Sequence, residues 1–365
     1  MARGEDLNAP NDVRRMLVES AARLFADHVD AKLLDAAKRE GLPTALWQAL
    51  EAAELPLVGV PAQAGGASGT LSDAAAVLRL AGRFAAPAPL AETGMLAGWL
   101  LASVGLAVPR GPLAAGPQGR AESLTLARAP GGWRLSGRVR RMPWARFARR
   151  LVVIAGDGAD EFVASVAPQQ ARITPGWNLA REPRDDVVFD AVPLAEAEVA
   201  PAAAGVSRAA LRLRGALSRA LMMAGALERA LELAVEYARQ RVQFGRKIGQ
   251  FQAIQQELAR FGGETAAAVA AALSAAGALE RGGDATLAVA SAKIRTAEAA
   301  REGALIAHQV HGAIGVTDEY ALHHYTLRLW AWREEYGNES EWAIELGREI
   351  QGRGADALWP ALTND

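Results

Sequence analysis

The chain contains no cysteine, which excludes disulfide bridges, thiolate nucleophiles and thiolate metal ligands together. It has no excess of either charge: 40 basic residues stand against 41 acidic ones, for a formal charge of -1 at pH 7. That balance gives no general attraction to nucleic acid or to an anionic membrane surface, so any anionic ligand must be gripped by a few local groups. Long hydrophobic runs are also scarce. The most apolar stretch, MLAGWLLASVGLAV, is too short and too glycine-rich to span a bilayer and reads as a buried helix. The opening MARGEDLNAPNDVRR has no apolar segment behind its basic residues. The expectation is a cytoplasmic protein with neither nucleic-acid nor membrane partners.

What is present divides the 365 residues into three zones, taken as 1-107, 108-203 and 204-365. The first is rich in Ala and Leu at helical spacing, as where Leu17, Ala21, Leu24 and Phe25 share one face behind a capping Asp12. The second has frequent proline and short runs that read as strands, among them ESLTLAR, GWRLSGRV, RLVVIA, EFVASVA and DVVFDAV. A small antiparallel barrel or sandwich accommodates them. No strand opens a glycine-rich loop that continues into a helix, so Rossmann and P-loop nucleotide sites are absent. The third zone reads as four long helices: Arg208 to Gln240, Phe251 to Glu280, Asp284 to about Gly312, and Asp318 into the 340s. Short connections make these a bundle, and its alanine-lined faces favour subunit association.

Between the first two of these helices lies RVQFGRKIGQFQAIQQELA, starting at Arg241, and further on QVHGAIGVTDEY, starting at Gln309. Both resemble signatures of the acyl-CoA dehydrogenase family, in the right order and at the right distance. The turn GVPAQAGG resembles the family's N-terminal Gly-Gly turn, and the likeness runs along essentially the whole chain. It implies an all-α N-terminal domain, a small β-barrel middle domain and a C-terminal four-helix bundle. It also implies FAD, an acyl-CoA substrate, an electron-transfer flavoprotein or similar acceptor, and a tetramer built from C-terminal helices. The two signatures would hold the ADP half of FAD across a subunit interface through Arg241, Gln243, Phe244, Gln309 and Gly312. Arg241 offers a permanently charged fork suited to a pyrophosphate. Gln243 adds neutral donors, and Phe244 a flat apolar face. The competing reading makes Arg241 a solvated helix-end charge and Phe244 an ordinary core residue. Ala313 departs from the second signature, where the family has glycine.

The reaction of this family is α,β-desaturation of a thioester: a carboxylate takes the α proton while the β hydrogen leaves as hydride to flavin N5. Ungapped alignment from Gln309 puts Tyr336 at the usual glutamate position and Asn338 at the threonine that bonds the flavin. A phenol is a poor base for this proton. Glu335 and Glu334 lie beside it, within a one-residue slip of register. A minority of the family carries the base on the first long helix, and Arg219 occupies that place here. In the middle domain GPLAAGPQGRAESL and GRVRRMPWARFA stand where flavin and substrate contacts are expected, with Arg141, Met142 and Pro143 replacing Trp-Ile-Thr and Trp144 close by. Met222 and Met223 fall near the implied acyl pocket. Trp330, Trp332 and Trp342 are either interhelical packing or an aromatic wall around a bulky substrate. His308, His311, His323 and His324 come with neither a His-Glu-x-x-His arrangement nor an anchoring carboxylate pattern, so no metal is expected.

The coordinated losses fit a short subunit of a heteromeric acyl-CoA dehydrogenase of the kind that acts on steroid side chains and other bulky acyl groups. A homologous partner would then supply the base. The alternatives are a catalytic homo-oligomer using Glu335 or Glu334, and a catalytically inactive homologue serving as a structural or CoA-ligand-binding subunit. A flavin-dependent monooxygenase of the same fold is a further alternative, though no sequence feature asks for a supply of reduced flavin.

Overall fold

The computed structural model describes residues 9–116, 119, 122–157, 160–354, 356 and 359–360. The first helix, α1 (Ala9–His28), buries Ala21 and Phe25 as its spacing predicts, while Asp12 sits in its first turn rather than at its cap. Asp30 caps α2 (Ala31–Glu40) by accepting the Leu33 N–H at 2.7 Å. Next come α3 (Thr44–Ala52) and α4 (Leu71–Arg83). A reciprocal capping box opens α4: the Thr70 hydroxyl accepts from Asp73 N–H, and the Asp73 carboxylate accepts from Thr70 N–H. The apolar stretch is helical through Ser103, with Met95, Leu96, Ala97, Leu100 and Leu101 buried, whereas residues 104–108 leave the helix as a turn and coil that are half-buried or exposed. It begins with π-helical turns at Ala91–Gly98 and runs into α5 (Trp99–Ser103).

The middle zone is one sheet made of β1 (Leu113–Gly116), β2 (Leu124–Ala129), β3 (Gly132–Pro143), β4 (Arg150–Asp157), β5 (Asp160–Val166), β6 (Arg172–Thr174), β7 (Arg184–Leu194) and β8 (Val199–Pro201). Its order is β6-β7-β3-β2-β4-β5-β8, with β1 paired to β4. The expected barrel is not formed. The end strands β6 and β8 are three residues long and are not paired with each other, so the sheet stays open. It is also mixed rather than antiparallel, because β1 and β2 both pair with β4 in parallel. Alternation along a strand fixes which side chains share a face but not whether the edges meet. Those faces are distinct here. Leu113, Ala115, Val152 and Ile154 join the core made by the helices, while Ala114, Leu151, Val153 and Ala155 join a second core on the far side. Residues 117, 118, 120 and 121 of GPLAAGPQGRAESL lie outside the described residues.

The C-terminal zone opens with α6 (Arg208–Gln240), capped by Ser207, whose Oγ accepts the Ala210 N–H at 3.1 Å. The motif at Arg241 is not a bare helix junction but a short hairpin of β9 (Val242–Gln243) and β10 (Arg246–Lys247). Then follow α7 (Gln252–Arg281) and α8 (Thr286–His311). The expected fourth helix is two: α9 (Leu322–Arg333) and α10 (Glu339–Arg353). The four-helix description is therefore corrected to five long helices among the described residues. Gly337 at φ 93° and the cap Asn338, whose Oδ1 accepts Glu341 N–H at 3.0 Å, make the break. The N-terminal layer meets this bundle where α4 crosses α6. A Cβ on Gly82 would stand 1.9 Å from the Met222 carbonyl oxygen, and one on Gly225 would stand 1.8 Å from that of Arg79, so only glycine permits this approach.

Candidate functional site

The break between α9 and α10 puts Glu335 and Tyr336 into the centre of the molecule, against α6 and β7. Glu335 is buried, and both its oxygens are taken. Oε1 accepts from Arg184 Nε at 2.7 Å and Oε2 from Arg219 Nε at 2.6 Å, with Arg184 Nη2 also 3.1 Å from Oε2. Asn178 Nδ2 adds a further bond to Oε1 at 3.3 Å. Arg219 in turn is ion-paired with the buried Glu92 of the π-helical segment, Arg184 with Glu182 at 3.1 Å, and Arg328 of α9 with Glu182 at 3.2 Å. Three guanidiniums and three carboxylates thus form one closed network drawn from all three zones. Trp332 closes it by donating Nε1–H to Glu182 at 2.8 Å.

This network decides what Glu335 can do. Burial alone would push its carboxyl up, but Arg184 and Arg219 outweigh burial and hold it at about 2. A proton acceptor that acidic is a poor base near neutral pH. Arg219 shows the converse: burial would lower it, yet Glu92 and Glu335 raise it well above its ordinary value. Tyr336 is likewise unsuited. Burial raises its phenol far above the usual range, and its hydroxyl has no hydrogen-bond partner among the described residues. Its ring packs where α6 has Gly215, at which a Cβ would come within 2.1 Å of the ring carbons, and the guanidinium of Arg219 lies 5.4 Å from the ring centre. Glu334, by contrast, is solvent-exposed, 4.0 Å from Arg333. Asn338 spends its carbonyl on the α10 cap and donates its amide to Glu334 at 3.4 Å, so the flavin-bonding role implied for it competes with a structural one. Lys293 of α8 ties down the same turn by donating to the carbonyls of Arg333 at 2.6 Å and Gly337 at 2.8 Å. Burial brings it down to about 7.

The residues implied for the ADP half of FAD lie elsewhere. Arg241, Gln243 and Phe244 are all exposed, and Phe244 is 92% exposed on the hairpin with φ 51°, so the core reading of Phe244 is overturned. Phe251 lies edge-on to it at 6.1 Å. Gln309 and Gly312, at the end of α8, are exposed as well. Tyr237, one turn before Arg241, stacks on His311 at 4.7 Å, which brings the ends of α6 and α8 together. The two signature segments are therefore neighbours, whereas Glu334, Glu335, Tyr336 and Asn338 form a separate group around the α9–α10 break. Outward-facing donors beside an exposed aromatic ring fit the phosphate and adenine portion of FAD. The residues aligned with the flavin-ring side offer no such outward donors, since Met142, Trp144 and Tyr336 are buried, and Arg219 at the alternative base position is already paired with Glu92 and Glu335.

The aromatic wall is not assembled either. Trp332 and Trp342 are buried, the second donating to the Tyr336 carbonyl at 3.0 Å, while Trp330 stacks on His308 at 5.6 Å. Sequence reasoning missed Glu92, Asn178, Glu182, Arg184, Lys293 and Arg328. No local signal marks them, because their partners lie far along the chain, 151 residues for Arg184 and Glu335 and 127 for Arg219 and Glu92.

An N-terminal helical layer, an open sheet and a helical C-terminal zone that carries both signature segments, in that order along the chain, is the arrangement of the acyl-CoA dehydrogenase class, and comparison with known proteins bears this out. Residues 11–107 match the family model for the acyl-CoA dehydrogenase N-terminal domain and residues 204–339 that for its C-terminal domain. The chain is 30% identical over 364 residues to acyl-CoA dehydrogenase IpdE2 of Mycobacterium tuberculosis, covering 96% of this chain and 98% of that one. It therefore belongs to the acyl-CoA dehydrogenase family. Among solved structures it resembles the ChsE4-ChsE5 complex of Mycobacterium tuberculosis, with a TM-score of 0.85 and 23% identity over 92% of this chain and 96% of that one. It also resembles a variant of the Tcur3481-Tcur3483 steroid ACAD, with a TM-score of 0.83 and 26% identity over 93% of this chain and 98% of that one.

Proposed function

We propose that this chain is the subunit of a heteromeric, FAD-dependent acyl-CoA dehydrogenase that does not carry the catalytic base. The observation behind this is the state of Glu335. The carboxylate nearest the usual base position is locked between two arginines, and the alternative base position on α6 holds Arg219 itself. A homologous partner subunit would contribute the base, and a steroid-type acyl-CoA thioester is the substrate class in keeping with the relatives. A curated relative 30% identical over nearly its full length bears the family name, and two similar structures are of paired subunits, one of them a steroid ACAD.

FAD, when bound, supplies the hydride acceptor. In this reading the chain holds it from outside. Arg241 and Gln243 would hold its phosphates, Phe244 would cover an apolar face, and Gln309 and Gly312 would contribute from the end of α8. The charge network keeps this chain's own α9–α10 turn rigid and excludes a second proton acceptor from its interior. A homomeric dehydrogenase using Glu334 is the second reading, favoured by the solvent access of that one carboxylate.

The test is purification of the chain alone and after co-expression with a homologous subunit, measuring FAD per chain and acyl-CoA-dependent reduction of an artificial acceptor. The expected result is turnover in the complex, with the chain alone at background. Full turnover by the pure homomer, abolished by Glu334→Gln, would overturn the proposal.

A further inference from the structure

Where α2 of the N-terminal layer meets the start of α9, three side chains from distant parts of the chain converge. Asp35, His323 and His324 offer ligand atoms that all lie within 4.8 Å of one another. Asp318 adds a carboxylate oxygen 3.6 Å from His323 Nε2, and His324 Nε2 lies 3.8 Å from Asp35 Oδ1. Tetrahedral zinc with bonds of roughly 2.1 Å separates its ligand atoms by about 3.4 Å, so these pairs need to close only slightly. We propose that Asp35, His323 and His324, with Asp318 or water as the fourth ligand, form a site for a divalent transition-metal ion of the zinc type that clamps α2 to α9.

Three features make the cluster more than a chance meeting. First, His323 Nδ1 lies 2.8 Å from the carbonyl oxygen of Tyr320, and a carbonyl only accepts. Nδ1 therefore carries the hydrogen, and the Nε2 lone pair is directed into the cluster, the orientation a metal-bound imidazole takes from its outer partner. Second, the buried His324 has no hydrogen-bond partner at Nδ1 among the described residues, and its ring lies 3.9 Å from that of His323. The two rings are tilted by 43°, and Nε2, the nitrogen of His324 that faces Asp35, is the one a metal would take, with Nδ1 left to carry the hydrogen. Third, the cluster already attracts a cation. The Lys38 ammonium sits 2.8 Å from His323 Nε2, 2.9 Å from Asp35 Oδ1 and 3.5 Å from Asp318 Oδ1. Imidazole and carboxylate together, without sulfur, suit zinc, cobalt or nickel rather than a softer ion. Lys38 is then a built-in competitor, on a flexible stem that can swing aside.

The experiment is a titration of the full chain, in its purified oligomeric form with any affinity tag removed, with Co2+ and Zn2+ after chelator treatment. Bound Co2+ is read by its visible absorption and stoichiometry by elemental analysis. One ion per chain is expected, with tetrahedral-type Co2+ bands that Zn2+ displaces and a raised thermal midpoint. Asp35→Asn, at a half-exposed side chain, should weaken binding by about tenfold or more, and Lys38→Met should tighten it by a similar factor. His323→Gln tests the imidazole, with far-ultraviolet dichroism to verify its fold. No binding by either the wild type or Lys38→Met overturns the site, as does binding that Asp35→Asn and a folded His323→Gln leave unchanged.

Discussion

Glu335 and Glu334 are adjacent and chemically identical, yet their environments assign them opposite roles. One is dry and paired twice, the other wet and barely paired. Replacing Glu335 with Gln leaves Arg184 and Arg219 buried without their shared anion, and breaking a buried pair from one side costs on the order of 3–5 kcal/mol. Urea unfolding of Glu335→Gln should show a loss of that size, while Glu334→Gln should stay within about 0.5 kcal/mol of the parent. A stability loss for Glu335→Gln smaller than that for Glu334→Gln would contradict the network. Neither outcome could be anticipated from the dipeptide, because the distinction is made by Arg184, 151 residues away, and by Arg219 on α6.

At the scale of elements, the hairpin β9–β10 is the feature that packing does not explain. Its residues 241–247 are all exposed, so burial of apolar surface does not account for them. Arg241→Ala should therefore leave the unfolding free energy within about 0.5 kcal/mol. It should nonetheless weaken FAD binding in the assembled complex by roughly 10- to 100-fold, the worth of a lost charged hydrogen bond. FAD retention after gel filtration measures this directly, and undiminished retention would count against the role given to Arg241. The break between α9 and α10 was legible in principle, since Gly-Asn followed three residues later by Glu341 is a helix stop and a capped start. The heptad-like run of apolar residues on either side masked it. The open sheet was not legible at all: strand existence is local, whereas closure depends on edge strands of three residues whose lengths are set by tertiary packing.

The whole molecule carries its charge network and Lys293 as a pH response. Glu335 falls from its ordinary 4.5 to about 2 on folding. Its contribution is present above pH 4.5 and is lost as pH falls toward 2, because the unfolded chain takes up the proton first. Lys293 falls from 10.5 to about 7. Between those values the unfolded chain holds a proton that the folded chain has released, so stability rises as pH increases from about 7 to about 10.5. Denaturation midpoints across the pH range should show both limbs. Lys293→Met should flatten the alkaline limb, at a cost of about 1–3 kcal/mol for the two carbonyls left unpartnered; an undiminished alkaline limb in Lys293→Met would rule out Lys293 as its source.

The sequence by itself determined the family, the order of the three zones, every strand it named and the bounds of the first three long C-terminal helices to within a few residues. These are properties of periodicity, caps and contiguous motifs, which a chain carries locally. Only the tertiary structure decided that the sheet stays open, that Phe244 faces outward and that Glu335 is a buried structural anion. It alone brings Asp35 to His323 and His324. Each of those outcomes depends on which remote side chain fills the space around a residue, and in a close-packed interior that neighbour, more than the residue's own type, sets charge, exposure and role.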